Sequence, residues 1–396
     1  MSERISGALG MLYLTVCGVL EKTPSKEFLE KMDWEQVLSA GTAHNLTAIT
    51  GIGVERAVKE GFHLSEEQEK VYKKWIELKN KAVRKNILLD AERKELEDYF
   101  EQQKIWYMPL KGVLLKEMYP QSSMRQMADN DILFDDAYAE SVRDFLSSKG
   151  YRIESFGQGN HDVYLKNPVY NFEMHRSLYS DSHKVGWKEY YKDVKKKLLQ
   201  VTEYKYAFSD EDFYIYLISH AYKHHSGCGT GLRTLTDVFV CLQKLEEKMD
   251  WSYISEQCNI LGIGEYEEQI RLLARKVFSK EHLDASVGQF GSSLIQSLSK
   301  EERQFLEYLF GSGTYGTMEN WIGNQLQKYE KQGSGNAKLS YLCKRLFPEM
   351  SYYKENYPFL YRHKWLIPGF VVYRMGRGII LRGKNILAEF RTVLKK

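Results

Sequence analysis

From Ser65 to Gln103 the chain contains neither glycine nor proline, and no other stretch constrains the fold as strongly. Nothing in it breaks or kinks a helix. Val71, Trp75, Leu78, Ala82, Leu89, Leu96 and Phe100 recur at helical steps, mostly on one side. A helix with such a stripe needs a partner to cover it, which makes this segment scaffold rather than chemistry.

The character of the chain changes at about Ile105. IWYMPLKG reads as a short strand entering a turn, and Gly112 to Tyr119 resumes helical spacing. Asp129 to Phe134 is a strand candidate, followed by a helix from Ala137 to Lys149 that Gly150 closes. Tyr151–Ser155, His161–Lys166 and Tyr170–His175 are further strand candidates, separated by Gly, Asn and Pro. From Ser209, with Glu211 and Asp212 in the first turn, the pattern is helical almost to the end. The expected organisation is a helical segment over 1–104, a small α/β core over 105–205 and a helical segment over 206–396. No repeat of solenoid period is visible.

With 396 residues the chain has room for two or three domains. The apolar run from Gly7 to Leu20 is shorter than the roughly 20 residues a bilayer span needs. EKTPSK follows it instead of a small-residue cleavage site, so a buried helix is expected there, with no transmembrane segment. The five cysteines are scattered, with no CxxC spacing, which argues against a disulfide framework or a zinc site and for a reducing cytoplasm. A net charge of +3 gives no support to wholesale nucleic-acid binding.

The chemistry gathers in the middle. Residues two apart in a strand share a face, so Asp129 and Asp131 project together while Asn130, Ile132 and Phe134 point the other way. Paired carboxylates are costly without a cation between them, and Mg2+ favours one or two carboxylates plus substrate phosphates. NFEMH repeats the pattern: Phe172 and Met174 face a core, Glu173 and His175 the opposite side. If the two strands are neighbours, Glu173 completes a three-carboxylate cluster suited to metal-assisted phosphoryl transfer. A lone DxD is more often a solvated strand end, and Asp135 and Asp136 belong to the next helix start. The context adds weight. Gly112 opens a helix whose free amides attract phosphate, with Lys111 beside it and Arg125 four residues before Asp129; on their own, these two cations read as surface charge.

At these residues the sequence resembles the nucleotidyltransferase superfamily with the DNA polymerase β-like fold, and more closely a bacterial group of uncharacterised nucleotidyltransferases. LKGVLLKEMYP, RQMADNDILF, the Gly150-Tyr151 pair and NFEMHRSL carry the resemblance. ISHAYKHHSGCGTGLRTLTDVFVCL and YPFLYRHKWLIPGFVVYR extend it downstream. It implies an α+β fold with a mixed-sheet palm, and transfer of a nucleoside monophosphate from an NTP with release of pyrophosphate. Asp129 and Asp131 match the DxD pair and Glu173 the third acid, holding Mg2+ or Mn2+ in a two-metal mechanism. Lys111 and Gly112 fall where the superfamily has Gly-Ser, but Val113 stands in the serine's place. Asn130 replaces the usual apolar residue between the aspartates.

Downstream, His220 and His224 lie four apart on the side of Phe213, Leu217 and Ala221, where histidines are ordinarily satisfied core residues. Arg233 and Asp237 lie opposite the stripe of Leu235, Val238, Phe239 and Leu242. They read as an i,i+4 ion pair or as a polar wall of a nucleotide cleft, and the resemblance favours the wall for Arg233. Lys111, Gly112, Arg125, His175, His220, His224, Arg233 and Asp237 are thus the substrate-binding candidates. No acidic ligand set accompanies the downstream histidines, so a dinuclear zinc site is not expected there.

From Arg362 to Lys396 there are nine Lys/Arg and a single acid, Glu389, among aromatic and aliphatic residues. This segment reads as a helix packed on the body with solvated charges; a membrane surface, an RNA or a long anionic acceptor is the competing reading. The expected function is metal-dependent nucleotidyl transfer to a hydroxyl on a small molecule, peptide or protein. The alternatives are a nucleotide-binding regulatory module without turnover, and a nucleic-acid-binding protein that uses the basic C-terminal segment.

Overall fold

A computed structural model describes residues 6–180, 183–284, 290–331, 333 and 335–395. The fold is α+β: a small mixed sheet flanked by helical segments, with most of the chain helical.

The N-terminal segment forms α1 (Gly7–Val19), α2 (Lys26–Lys31), α3 (Trp34–Ala43) and α4 (Thr47–Lys59). The apolar run at the start is the buried helix expected of it: Met11, Leu12, Leu14 and Val16 are fully enclosed. Helix α1 packs closely on α3 and α4. At Gly18 a Cβ would stand 2.4 Å from the Ile49 side chain, so only glycine permits that approach.

The stretch without Gly or Pro is α5 (Glu66–Gln103), 38 residues and about 57 Å long. Ser65 and Gln68 start it with a reciprocal capping box, and Lys104 ends it in the left-handed conformation. Its Trp75 is buried against the N-terminal helices. Leu96 and Phe100 pack on the sheet with Ile132, Phe134, Tyr164, Phe172 and Met174. The helix thus finds two partners, one for each half of its stripe.

The sheet contains β1 (Tyr107–Pro109), β2 (Asn130–Phe134), β3 (Arg152–Ser155), β4 (His161–Lys166) and β5 (Tyr170–His175), in the order β1-β2-β5-β4-β3. Strands β2 and β5 pair in parallel and the other neighbours are antiparallel. Helix α6 (Lys111–Met118) follows β1, and α7 (Ala139–Ser148) follows β2 after a short 3-10 turn capped by Asp135. Gly150 has φ 83, the conformation that closes a helix. The strand spans fall within a residue or two of those expected. The short pair Leu199–Gln200 and Tyr206–Ala207 was not anticipated.

After α8 (Trp187–Tyr190), helix α9 (Asp210–His225) begins at a Ser209 cap and packs against α10 (Leu232–Leu245). One apolar core takes residues from the N-terminal helices, from β1, β2 and α6, and from α9 and α10 alike. The basic C-terminal segment forms a helix over Ile367–Lys395. Val393 joins Ile322, Leu326, Tyr329 and Tyr341 in a small separate cluster, while Val372, Ile380, Leu381 and Leu394 are exposed. Its apolar residues are therefore only partly used for packing on the body.

Candidate active site

The parallel register of β2 and β5 sets Asp131 opposite Glu173 and Leu133 opposite His175. Phe172, Met174 and Ile132 go into the core beneath, which leaves the carboxylates on the other face. Asn130 points into the interior and is satisfied there: its Nδ2 donates to the Leu89 carbonyl at 2.9 Å, and its Oδ1 accepts from Arg93 at 3.3 Å. The polar residue between the aspartates is thus accommodated by α5.

Asp131 is the best-tied acid. Lys111 Nζ, at the first position of α6, donates to its Oδ2 at 2.7 Å, and His175 Nε2 lies 3.1 Å from its Oδ1. Burial works against its charge, but Lys111 and His175 outweigh burial and hold this carboxyl well below the usual range. Asp129 and Glu173 lack that support. Burial first, then the Asp131 charge, raises Asp129. The same two causes, with Asp129 added, push Glu173 up to about 8.

The donor set therefore fits a divalent cation. The charges of Asp129, Asp131 and Glu173 oppose one another, Lys111 makes its hydrogen bond to Asp131, and Glu173 tends to hold a proton where a cation would otherwise stand. Among the described residues no side chain caps α6, whose first turn opens beside Asp131. A Cβ on Gly112 would stand 2.9 Å from Met127 Cε and 3.4 Å from Arg125 Nη1. The glycine lets α6 lie close against the segment that leads into β2.

The other candidates divide into two groups. Arg125 is buried, donating from Nε to Asp237 Oδ1 at 2.8 Å and from Nη2 to Oδ2 at 3.0 Å. Tyr119 donates to the same Asp237 carboxylate at 2.8 Å. Asp237 is therefore engaged with Arg125 and Tyr119 rather than with Arg233, whose Nη1 reaches the Gln126 carbonyl at 3.4 Å. The histidines of α9 form the second group. His220 and His224 face each other with Nε2 atoms 3.2 Å apart. Burial, then Lys111, His224 and Lys223, hold the His220 ring far below its usual range. Crowding by protein atoms, then Lys223, Lys111 and Arg233, push His224 down to about 3 although it keeps contact with solvent. Both rings are thereby biased toward the neutral form, and both feel the charges of Lys111 and Asp131.

Two residues of this face were missed in the sequence. His161 stands opposite His175 across β4 and β5, with ring centroids 5.0 Å apart and Nε2 3.7 Å from Glu173 Oε2. Lys223 adds a third α9 side chain, its pKa lowered by burial and then by Lys111. The signal for His161 was available: a hairpin folded at Pro168 pairs Lys166 with Tyr170 and so His161 with His175.

A family model described as uncharacterised nucleotidyltransferase matches residues 30–279, a span that contains all of these residues. No curated protein and no solved structure matches the chain. The match covers well over half of the sequence, and the chain belongs to the uncharacterised nucleotidyltransferase family.

Proposed function

We propose that this protein transfers a nucleoside monophosphate from an NTP to a hydroxyl of a small-molecule, peptide or protein acceptor, on a polymerase β-like palm. The observation that carries this reading is the register of Asp131 against Glu173 on parallel strands, with Asp129 two residues before Asp131 and Lys111 on the Asp131 carboxylate. Asp129 and Asp131 would hold Mg2+ or Mn2+, and Glu173 would hold a second ion or take the acceptor's proton. Such ions would neutralise the triphosphate and lower the pKa of the attacking hydroxyl.

The chain's own residues supply the rest. Lys111 and the uncapped first turn of α6 address phosphate oxygens. Arg233, His220 and His224 form the facing wall, where neutral imidazoles donate or accept hydrogen bonds without repelling the cations beside them. Arg125 and Asp237 fix the strand entry relative to α10 and so act as positioning residues.

A panel of NTPs with and without divalent metal, read by thermal shift and pyrophosphate release, tests the reading. Metal-dependent stabilisation and release are expected, and both are expected to vanish in Asp129→Ala/Asp131→Ala. No response to any NTP would sink it. A second reading, nucleotide binding without turnover, is favoured by Val113, which puts no hydroxyl where the superfamily has serine. It predicts the thermal shift without the pyrophosphate.

A further inference from the structure

Nucleotidyl transfer by carboxylates alone would leave the two histidines on the same sheet face without a task. His161, Glu173 and His175 each offer one ligand atom, and these atoms all lie within 4.8 Å of one another. The separations fit a shared ion: His161 Nε2 is 3.7 Å and His175 Nε2 3.9 Å from Glu173 Oε2. Ligands about 2.1 Å from one tetrahedral ion stand roughly 3.4 Å apart, so small rotamer adjustments bring them together. Asp131 Oδ1, at 3.1 Å from His175 Nε2, is already at the separation of two atoms in one coordination sphere.

The histidines are placed by the backbone. They are cross-strand partners in β4 and β5, a pairing fixed by the hairpin, and Glu173 is two residues from His175 on the same face. Neither ring is buried to satisfy a backbone group with Nε2. Among the described residues His161 Nδ1 has no hydrogen-bond partner, and its Nε2 lies 3.7 Å from Glu173 Oε2. A ring held this way contributes little to packing that an aliphatic residue could not supply.

We propose that His161 and His175 make the carboxylate site a mixed nitrogen–oxygen centre that selects a first-row transition cation over Mg2+, with Glu173 shared between the imidazoles and the aspartates. Mg2+ is a hard ion that prefers oxygen and keeps its waters. Imidazole nitrogen shifts the preference toward the transition series. The proposal rests on the reading of Asp129, Asp131 and Glu173 as a metal site, but it requires no nucleotide.

The test uses the full chain without nucleotide and Mn2+ as the probe. Pulsed electron paramagnetic resonance of bound Mn2+ reads imidazole nitrogen coupling directly, and calorimetry with Mn2+ and Mg2+ gives the selectivity. The wild type is expected to show nitrogen coupling and to prefer Mn2+ by about tenfold or more. His161→Gln, which removes no hydrogen bond, is expected to lose part of the coupling and most of that preference while its apo melting temperature stays near the wild type. His175→Gln is expected to act in the same direction. Asp129→Asn is expected to weaken both ions together and to leave the coupling of residual bound Mn2+ in place. Bound Mn2+ without nitrogen coupling, or an unchanged Mn2+ preference in His161→Gln, overturns the proposal. Nitrogen-coupled Mn2+ in a protein that ignores every NTP supports it while removing the nucleotidyl-transfer reading. Mg2+-dependent pyrophosphate release with uncoupled Mn2+ does the reverse.

Discussion

Arg125 and Asp237 lie 112 residues apart and meet in a two-pronged ion pair closed off from solvent, with the Tyr119 hydroxyl on the same carboxylate. The pair joins the segment entering β2 to α10. Removing one partner of such a pair strands the other charge in a low dielectric, at a cost of about 3–5 kcal/mol. Asp237→Ala is therefore expected to lower stability by that amount in denaturant unfolding. Replacing both residues by apolar ones of similar size is expected to recover much of it. A surface-like loss below about 1 kcal/mol for Asp237→Ala would contradict the buried pairing.

Glu173 sets the pH dependence. Its carboxyl is raised from an ordinary 4.5 to about 8 by burial and by Asp131 and Asp129. A raised acid binds its proton more tightly in the folded state, so its contribution is full below about 4.5 and is lost as pH climbs toward 8. Glu173→Gln is expected to melt at a higher temperature than the wild type near pH 8.5, with the gap closing near pH 5. Melting curves across that range check it; a constant difference would show that the Glu173 proton is not what changes.

Asp131 works in the opposite sense. Its carboxyl is held low by Lys111 and His175, so the stability it adds is present above the ordinary aspartate range and fades as pH falls below it. Asp131→Asn is expected to lower the melting temperature at neutral pH and to bring it closer to the wild type in strong acid.

Much of this arrangement is legible in the chain because it is local. The long helix follows from its periodicity and the absence of breakers. The strands follow from their alternation, and the same alternation places Asp131 and Glu173 on the face away from Ile132 and Met174. The parallel pairing of β2 with β5 is another matter, because β3 and β4 intervene and no residue in either strand names its neighbour. The Arg125 pairing is hidden for the same reason. Read along the chain, Asp237 has a partner four residues away in Arg233, and only packing of α10 on α6 brings a competitor with better geometry. His161 lay between these cases: its strand was visible, but its opposition to His175 emerges only when the turn at Pro168 is used to set the register.

The N-terminal helices carry a prediction in which propensity and packing disagree. Alanine is favoured over glycine inside a helix by about 1 kcal/mol, yet at Gly18 the new methyl would meet the enclosed Ile49 side chain at 2.4 Å. Overpacking of this kind costs about 1–3 kcal/mol. Gly18→Ala is expected to destabilise the protein in chemical denaturation; an unchanged or higher stability would show that helix propensity outweighs the contact with Ile49.

Lys111 separates the two ligands the site is proposed to take. Its ammonium occupies Asp131 Oδ2 at 2.7 Å, where it competes with a metal ion for the same oxygen, while the same charge would bind phosphate. Lys111→Met removes both effects at once, and they have opposite signs. In the absence of nucleotide the variant is expected to bind Mn2+ more tightly than the wild type, because Asp131 loses a cation and not a proton. Its affinity for the metal–NTP complex is expected to fall, since a hydrogen bond to a charged group is worth about 1.5–3 kcal/mol, roughly ten- to hundredfold. Calorimetric titrations of the same preparation with Mn2+ and then with NTP measure both. A parallel loss of metal and nucleotide would mean that Lys111 organises the carboxylates instead of competing for them, and would place the phosphate contact elsewhere, with Arg233 the next charge to test.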